Sequence, residues 1–173
     1  MLILIAGLPG TGKTTLAKAL SQHIGARHRN SDMVRIKMGY RGRYDRASRR
    51  TVYLRMLAEV EELIATRQTV VVDATFYLQR LRKPFEELAA RQQVPAVWIQ
   101  VIADDRTVEQ RLALPRPDSD ATITVYRLLK QQYEELEHEH LTLHSDLLTP
   151  SEMLDAILVY LPQADSSNIT ARR

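Results

Sequence analysis

Cysteine is absent from this sequence of 173 residues. That excludes disulfides, a thiolate nucleophile and a thiolate metal site. Long apolar runs are missing as well: the opening stretch MLILIA falls far short of the roughly 20 residues that cross a bilayer. It also lacks the basic start and small-residue cleavage region of a secretory leader, so a cytoplasmic location is the expectation. Neither an internal repeat nor an interdomain linker interrupts the chain, whose length suits one domain. Charge of one sign is in little excess, with 24 Lys and Arg against 21 Asp and Glu. A content of 45% hydrophobic and 26% charged residues is that of an ordinary soluble globular protein.

Charge is less evenly spread along the chain. From Arg27 to Arg50, nine Arg or Lys residues accompany only Asp32 and Asp45. Such a segment reads either as an anion-facing surface, for nucleic acid, or as a solvated arginine-rich helix face. Tyr40 and Tyr44 lie within it, placed either to stack on bases or to pack a loop against the domain.

Directly after the apolar opening stands GLPGTGKTT, residues 7–15. It fits G-x-x-x-x-G-K-[ST], with Gly7, Gly12, Lys13 and Thr14 at the fixed positions. Leu16, Ala17, Leu20 and Ile24 follow at helical spacing, which completes the strand, loop and helix that the motif requires. Glycine lets the backbone turn its N–H groups onto phosphate oxygens, and the helix start adds partial positive charge. The motif implies a nucleoside triphosphate held by Gly7, Gly10, Thr11, Gly12, Lys13, Thr14 and Thr15. Lys13 is expected at the β- and γ-phosphates and the Thr14 hydroxyl on Mg²⁺. No N-K-x-D follows downstream, which favours ATP over GTP.

Apolar strand candidates lie at 2–6, 27–30, 69–73, 96–102 and 140–144. Their continuous apolar character predicts a parallel sheet covered on both faces. Helical spacing joins Tyr53, Met56, Leu57, Val60, Leu63 and Ile64, and also Val125, Leu128, Leu129 and Leu136. Thr149-Pro150-Ser151-Glu152 forms a capping box for a last helix that Pro162 is expected to stop, leaving a polar tail at 163–173. The alternation predicts a single three-layer α/β domain over residues 1–162.

Asp32, in RNSDMVR after the second strand, falls at the carboxyl edge of such a sheet, where a general base for a hydroxyl belongs. The competing reading has Ser31 or Asp32 capping a helix, with Arg35 as a local ion-pair partner. Asp73 ends TVVVD, the place of a carboxylate that holds the Mg²⁺ water shell. Thr75 beside it supports that shell or meets substrate. Arg111 and Arg116, in EQRLALPRPDSDAT, read as arginines of a closing lid that offset charge on a transferring phosphoryl group. Three histidines, His138, His140 and His144, read as the polar face of an edge-proximal strand rather than a metal site, Trp98 as core, and the acidic run Glu134–Glu139 as a helix surface.

These segments resemble the small P-loop kinases described as predicted kinases or AAA-family ATP-binding proteins. Polynucleotide 5′-hydroxyl kinases, zeta-type toxins and gluconate kinases are the better-understood relatives. The resemblance spans Leu2 to about Leu161 and rests on GLPGTGKTTLA, SDMVR, VYLRMLAEVEELIATRQTVVVDATF, VEQRL, SDATITVYRLLKQQYEEL and HLTLHSD. It implies a P-loop NTPase sheet ordered 2-3-1-4-5 and transfer of the ATP γ-phosphoryl group to a hydroxyl. It further implies that Asp32 and Arg35 supply the base and an acceptor-orienting arginine, and that Arg111 matches the first lid arginine. Arg116 stands one residue out of the second one's spacing. The expected acceptor is the 5′-hydroxyl of RNA or DNA. The alternatives are a small-molecule kinase and a switch that hydrolyses ATP slowly.

Overall fold

β1 (Leu2–Ala6) has no exposed residue, so both of its faces are covered. It pairs in parallel with β3 (Val70–Asp73) on one side and β4 (Ala96–Ile102) on the other. β2 (Arg27–Asn30) joins β3, and β5 (His140–His144) joins β4. The five strands thus run in the order 2-3-1-4-5, as the resemblance implies. The computed structural model of the chain describes residues 1–114 and 121–170.

Alternation along β1 sorts the core into two layers. Leu2, Leu4 and Ala6 pack with Val52, Met56 and Val60 of α3 (Arg46–Ala65) and with Phe85 and Leu88 of α4 (Gln79–Arg91). Ile3 and Ile5 pack with Leu16 and Leu20 of α1 (Lys13–Ile24) and with Met153 and Ile157 of α7 (Pro150–Thr170). Burial of each such side chain contributes roughly 1.5–3 kcal/mol. All five strands being parallel, their carboxyl ends open onto one edge, where the loops after β1, β2, β3 and β5 meet.

One of those loops is held in an unusual conformation. Phe76 takes φ 47°, a left-handed value that costs a bulky residue about 1–3 kcal/mol. Its ring meets Tyr53, Phe85 and Trp98 edge-on at centroid separations of 5.5, 5.3 and 5.1 Å. Its N–H donates to the Tyr53 hydroxyl at 3.0 Å, and its carbonyl accepts from Arg82 Nε at 2.6 Å. The chain therefore turns sharply after Asp73 and leaves Thr75 and Tyr77 on the open edge.

Three helical expectations need correction. α6 (Ile123–Gln131) stops before Leu136, which is buried in the core from an irregular segment, while Leu128 lies exposed. Tertiary bonds replace helical ones there: Glu134 N–H donates to the Tyr77 carbonyl, and Arg82 takes the carbonyls of Glu134 and Glu135. The acidic run is accordingly no helix surface; the Glu134 carboxylate accepts from the Gln79 N–H at the start of α4, where negative charge is favoured. α7 begins at the predicted box, with Thr149 and Glu152 bonded reciprocally, but it continues past Pro162 to Thr170. Proline removes a ladder bond without forbidding the helical path, as Pro84 does inside α4.

Candidate active site

The first loop is shaped by contacts that only glycine allows. A Cβ on Gly7, at φ +149°, falls 2.2 Å from the Val101 carbonyl oxygen. Gly12 caps α1 at φ 90°, so the amides at the start of the helix face the open edge. Thr11 Oγ1 and Lys13 Nζ both donate to the Leu8 carbonyl, at 2.9 and 2.8 Å, which arches the loop over its own backbone.

Thr14 Oγ1 donates to Asp73 Oδ1 across 3.3 Å. The Asp73 carboxylate is 1% exposed and has two further partners from β2, Asn30 Nδ2 at 2.5 Å and His28 Nε2 at 2.8 Å. Two oxygen donors converging from the loop and from the end of β3 suit a hard cation that keeps several waters and takes phosphate oxygens, as Mg²⁺ does. Among the described residues no cluster of three or more His, Asp or Glu offers an all-protein metal cage.

Asp32 sits in the first turn of α2 (Ser31–Lys37), its side chain 24% exposed. Neither it nor Ser31 is the cap: Asn30 is, accepting from the Met33 N–H at 2.8 Å. With the cap supplied elsewhere, the Asp32 carboxylate is left to the cleft, with Arg35 Nε 3.6 Å away. Arg35 is also covered by the Tyr44 ring at 4.5 Å and donates to the Arg43 carbonyl. Arg43 in turn lies 5.3 Å from the Tyr40 ring, and Tyr40 packs on the core, so both tyrosines fasten the loop.

A cleft of about 780 Å³ brings these groups together. Its lining includes Gly10, Gly12, Lys13, Thr14, Thr15 and Arg111 together with Asp32, Arg35, Tyr44, Tyr53, Asp73, Thr75 and Tyr77. Arg111, on α5 (Asp105–Leu112), is tied down: its guanidinium donates to Ser145 Oγ at 2.8 Å and to the Ser145 carbonyl at 2.7 Å. It also reaches the Gly10 carbonyl at 3.4 Å, while Ser145 Oγ donates to the Thr11 carbonyl at 2.7 Å. It thus braces the first loop from below. Arg116 lies outside the described residues. Burial pushes the phenol of Tyr53 well above its ordinary range, so it lines the cleft as a neutral hydroxyl.

The sequence reading missed four of the residues gathered here. Ser145 directly follows β5 at the carboxyl edge. His28 and Asn30 flank the carboxylate of Asp73. Arg49, counted only as part of the basic segment, faces the cleft from α3 and donates to the Tyr77 hydroxyl at 2.8 Å. A signal for it exists: Arg49 precedes Val52, Tyr53 and Met56 at helical spacing, on the buried stripe.

Strand order, first loop and cleft define a P-loop fold of the kinase-like kind. Over residues 2–136 the chain matches the AAA domain family, and it belongs to that family. Two solved structures share the fold at low sequence identity. The gluconokinase of Sinorhizobium meliloti superposes with a TM-score of 0.70 at 16% identity, over 99% of this chain and 97% of that one. The APS kinase CysC of Mycobacterium tuberculosis, solved with AMPPNP and APS, gives 0.70 at 16%, over 93% and 96%. An uncharacterized protein of Mycobacterium tuberculosis is 27% identical over 152 residues, which make up 80% of this chain and 30% of that protein. The chain therefore spans about a third of the length of the curated relatives it matches. Among the described residues no helix is long and apolar enough to cross a membrane.

Proposed function

We propose that the protein is an ATP- and Mg²⁺-dependent kinase that transfers the γ-phosphoryl group to a hydroxyl, with the 5′-hydroxyl of RNA or DNA as acceptor. The observation that carries this reading is the Asp32 carboxylate, freed from capping and lining one cleft with Lys13, Thr14 and Asp73. In the step proposed, the acceptor oxygen attacks the γ-phosphorus as Asp32 takes the hydroxyl proton. The bond from that phosphorus to its bridging oxygen breaks, and ADP leaves with the electron pair. Lys13 and the amides of the first loop offset charge on the β- and γ-phosphates, and Arg111 contributes from the loop's other side. Bound Mg²⁺, held by Thr14 and through Asp73, supplies charge neutralisation at those phosphates. Exposed Lys37, Arg41, Arg43, Arg46 and Arg50 belong to the same stretch of chain as the cleft residues Asp32, Arg35, Tyr44 and Arg49, which favours a polyanion as acceptor.

The test is transfer of label from γ-labelled ATP to 5′-hydroxyl oligonucleotides, run beside a panel of sugars and nucleosides. Asp32→Ala should lower transfer by about 10²–10⁴ while nucleotide binding persists. Labelling confined to a small molecule replaces the acceptor. ATP hydrolysis indifferent to every hydroxyl and to Asp32→Ala removes the kinase reading altogether.

A further inference from the structure

Asn30 is the last residue of β2 and pairs in register with Asp73, the last residue of β3. Its side chain is buried, and both ends of its amide are bonded. Nδ2 donates to Asp73 Oδ1 at 2.5 Å and to Thr14 Oγ1 at 3.2 Å. Oδ1 accepts from the Met33 N–H at 2.8 Å, which caps α2. One planar group thus joins the end of β3, the first turn of α1 and the first turn of α2.

These contacts leave the amide a single orientation. A flipped group sets its carbonyl against the Asp73 carboxylate and its N–H groups against the Met33 N–H. The residue type follows from the same bonds. Ser and Asp cap a helix about as well as Asn does, and Thr nearly so. A Ser or Thr hydroxyl is one atom on a short arm, however, and an Asp carboxylate has no donor for Asp73. Capping alone does not call for asparagine here; capping together with donation to Thr14 and Asp73 does.

Asp32 lies two residues beyond Asn30, in the turn that Asn30 caps. Its ion-pair partner Arg35 stands on the same helix, and a contact within one helix does not aim that helix at the cleft. On the other side of the amide, Thr14 and Asp73 are 3.3 Å apart, long for a hydroxyl bonded to a carboxylate. The pair therefore has slack, which the strict ligand geometry of Mg²⁺ removes.

We propose that Asn30 is a positioning residue that couples filling of the Mg²⁺ and nucleotide site to the placement of Asp32. When the site is filled, Thr14 and Asp73 are fixed, and the amide bonded to both is fixed with them. The first turn of α2 is then held with Asp32 aimed into the cleft. When the site is empty, that turn opens more often. The coupling is reciprocal, so a molecule seated against Asp32 tightens the binding of nucleotide with Mg²⁺. The proposal takes the role of Asp32 from the kinase reading above, but the coupling itself is measurable without turnover.

Hydrogen exchange followed by mass spectrometry, with saturating AMPPNP and with or without Mg²⁺, tests the coupling. In wild type, Mg²⁺ should slow exchange of residues 31–38 by about 5-fold or more. Asn30→Ser keeps a capping hydroxyl but is too short to reach Asp73. In that variant the Mg²⁺-dependent slowing of residues 31–38 should disappear, while AMPPNP still protects residues 10–15. No Mg²⁺-dependent slowing in wild type overturns the proposal, and so does equal slowing in wild type and Asn30→Ser. If Asn30→Ser is too unstable to measure, Asn30→Thr, which fills more of the site, is judged by the same criterion.

A transfer assay at saturating ATP and Mg²⁺ then shows whether Asn30 acts through Asp32. Asn30→Ser should lower kcat about 10–100-fold, the cost of a misplaced catalytic group, with the KM for ATP little changed. Added to Asp32→Ala it should cause no further loss, because the group it positions is gone. Multiplying losses in the double variant overturn the link to Asp32. Transfer to no hydroxyl at all rejects the kinase reading and leaves the exchange result to judge the coupling.

Discussion

Thr14 Oγ1 and Asp73 Oδ1 stand 3.3 Å apart, joining the first turn of α1 to the last residue of β3. The register explains the meeting. Asp73 pairs with Ile5 of β1, so it ends its strand level with the start of the glycine loop. Thr14→Ala and Asp73→Asn should each raise the Mg²⁺ concentration needed for tight ATP binding, on the order of 10–100-fold. A fluorescent ATP analogue titrated at several Mg²⁺ concentrations reads this directly. An unchanged Mg²⁺ dependence in both variants would mean that the ion is held elsewhere.

Asn30 and His28 set the direction of that carboxylate, since both bond to it from β2. Asn30→Ala is expected to act twice. It removes the α2 cap, at about 1 kcal/mol, and it frees Asp73 to rotate. The thermal midpoint should drop by a few degrees, roughly 2–4 °C for a chain of this size. The Mg²⁺ dependence should move in the same direction as in Asp73→Asn. A change in stability alone would reduce Asn30 to a helix cap.

Much of this arrangement was legible beforehand. β1, β3 and β4 were visible because each is a short, mostly apolar run buried on both sides, and the first loop because its glycines answer to local geometry, as at Gly7 against the Val101 carbonyl. What escaped depended on partners distant in sequence. Ser31 and Asp32 were natural caps by type, yet Asn30 takes that role while also reaching Asp73, a contact 43 residues away. Leu136 kept helical spacing from Leu129, but the carbonyls of Glu134 and Glu135 were claimed by Arg82 from another helix. Arg111 was read as a lid residue by its place before a proline-broken segment; its bonds to Ser145 make it a brace of the first loop. Nothing local distinguishes an arginine that moves from one that is tied.

That brace has its own consequence. Ser145→Ala removes a hydroxyl that accepts from Arg111 and donates to the Thr11 carbonyl. The variant should lose about 1–2 kcal/mol of stability, and ATP affinity should fall several-fold because the loop amides lose their fixed aim. Calorimetric ATP binding alongside thermal unfolding checks both. Retained affinity with reduced stability would separate the brace from nucleotide binding.

Phe76 tests whether the turn after Asp73 is held by its rings. Phe76→Ala empties the centre of the Tyr53, Phe85 and Trp98 cluster and should cost about 3–5 kcal/mol, a fall in melting temperature on the order of 10 °C. Phe76→Leu keeps more volume and should recover part of that loss. If Phe76→Ala instead melts within a degree or two of wild type, the ring contacts do not hold the turn.

Acid should reach the helix caps before it reaches the core. Asp104 caps α5 by accepting from the Thr107 hydroxyl at 2.6 Å and from the Thr107 N–H at 2.9 Å. Asp45 caps α3 through Ser48 in the same way. Those hydrogen bonds hold both carboxyls below their ordinary value of 3.8, the side-chain bonds being the larger cause. A depressed folded-state pKa means that the folded chain binds its proton later than the unfolded chain does. The contribution is therefore complete above the unfolded value near 3.8 and is lost as pH falls through the lower folded value. Asparagine caps a helix about as well as aspartate but does not titrate. In Asp104→Asn, and more so with Asp45→Asn added, the melting temperature at neutral pH should stay close to wild type, while its decline between about pH 5 and pH 2 becomes shallower. Circular-dichroism melts across that range measure the slope, and an unchanged slope in the double variant would place the acid sensitivity in other carboxylates.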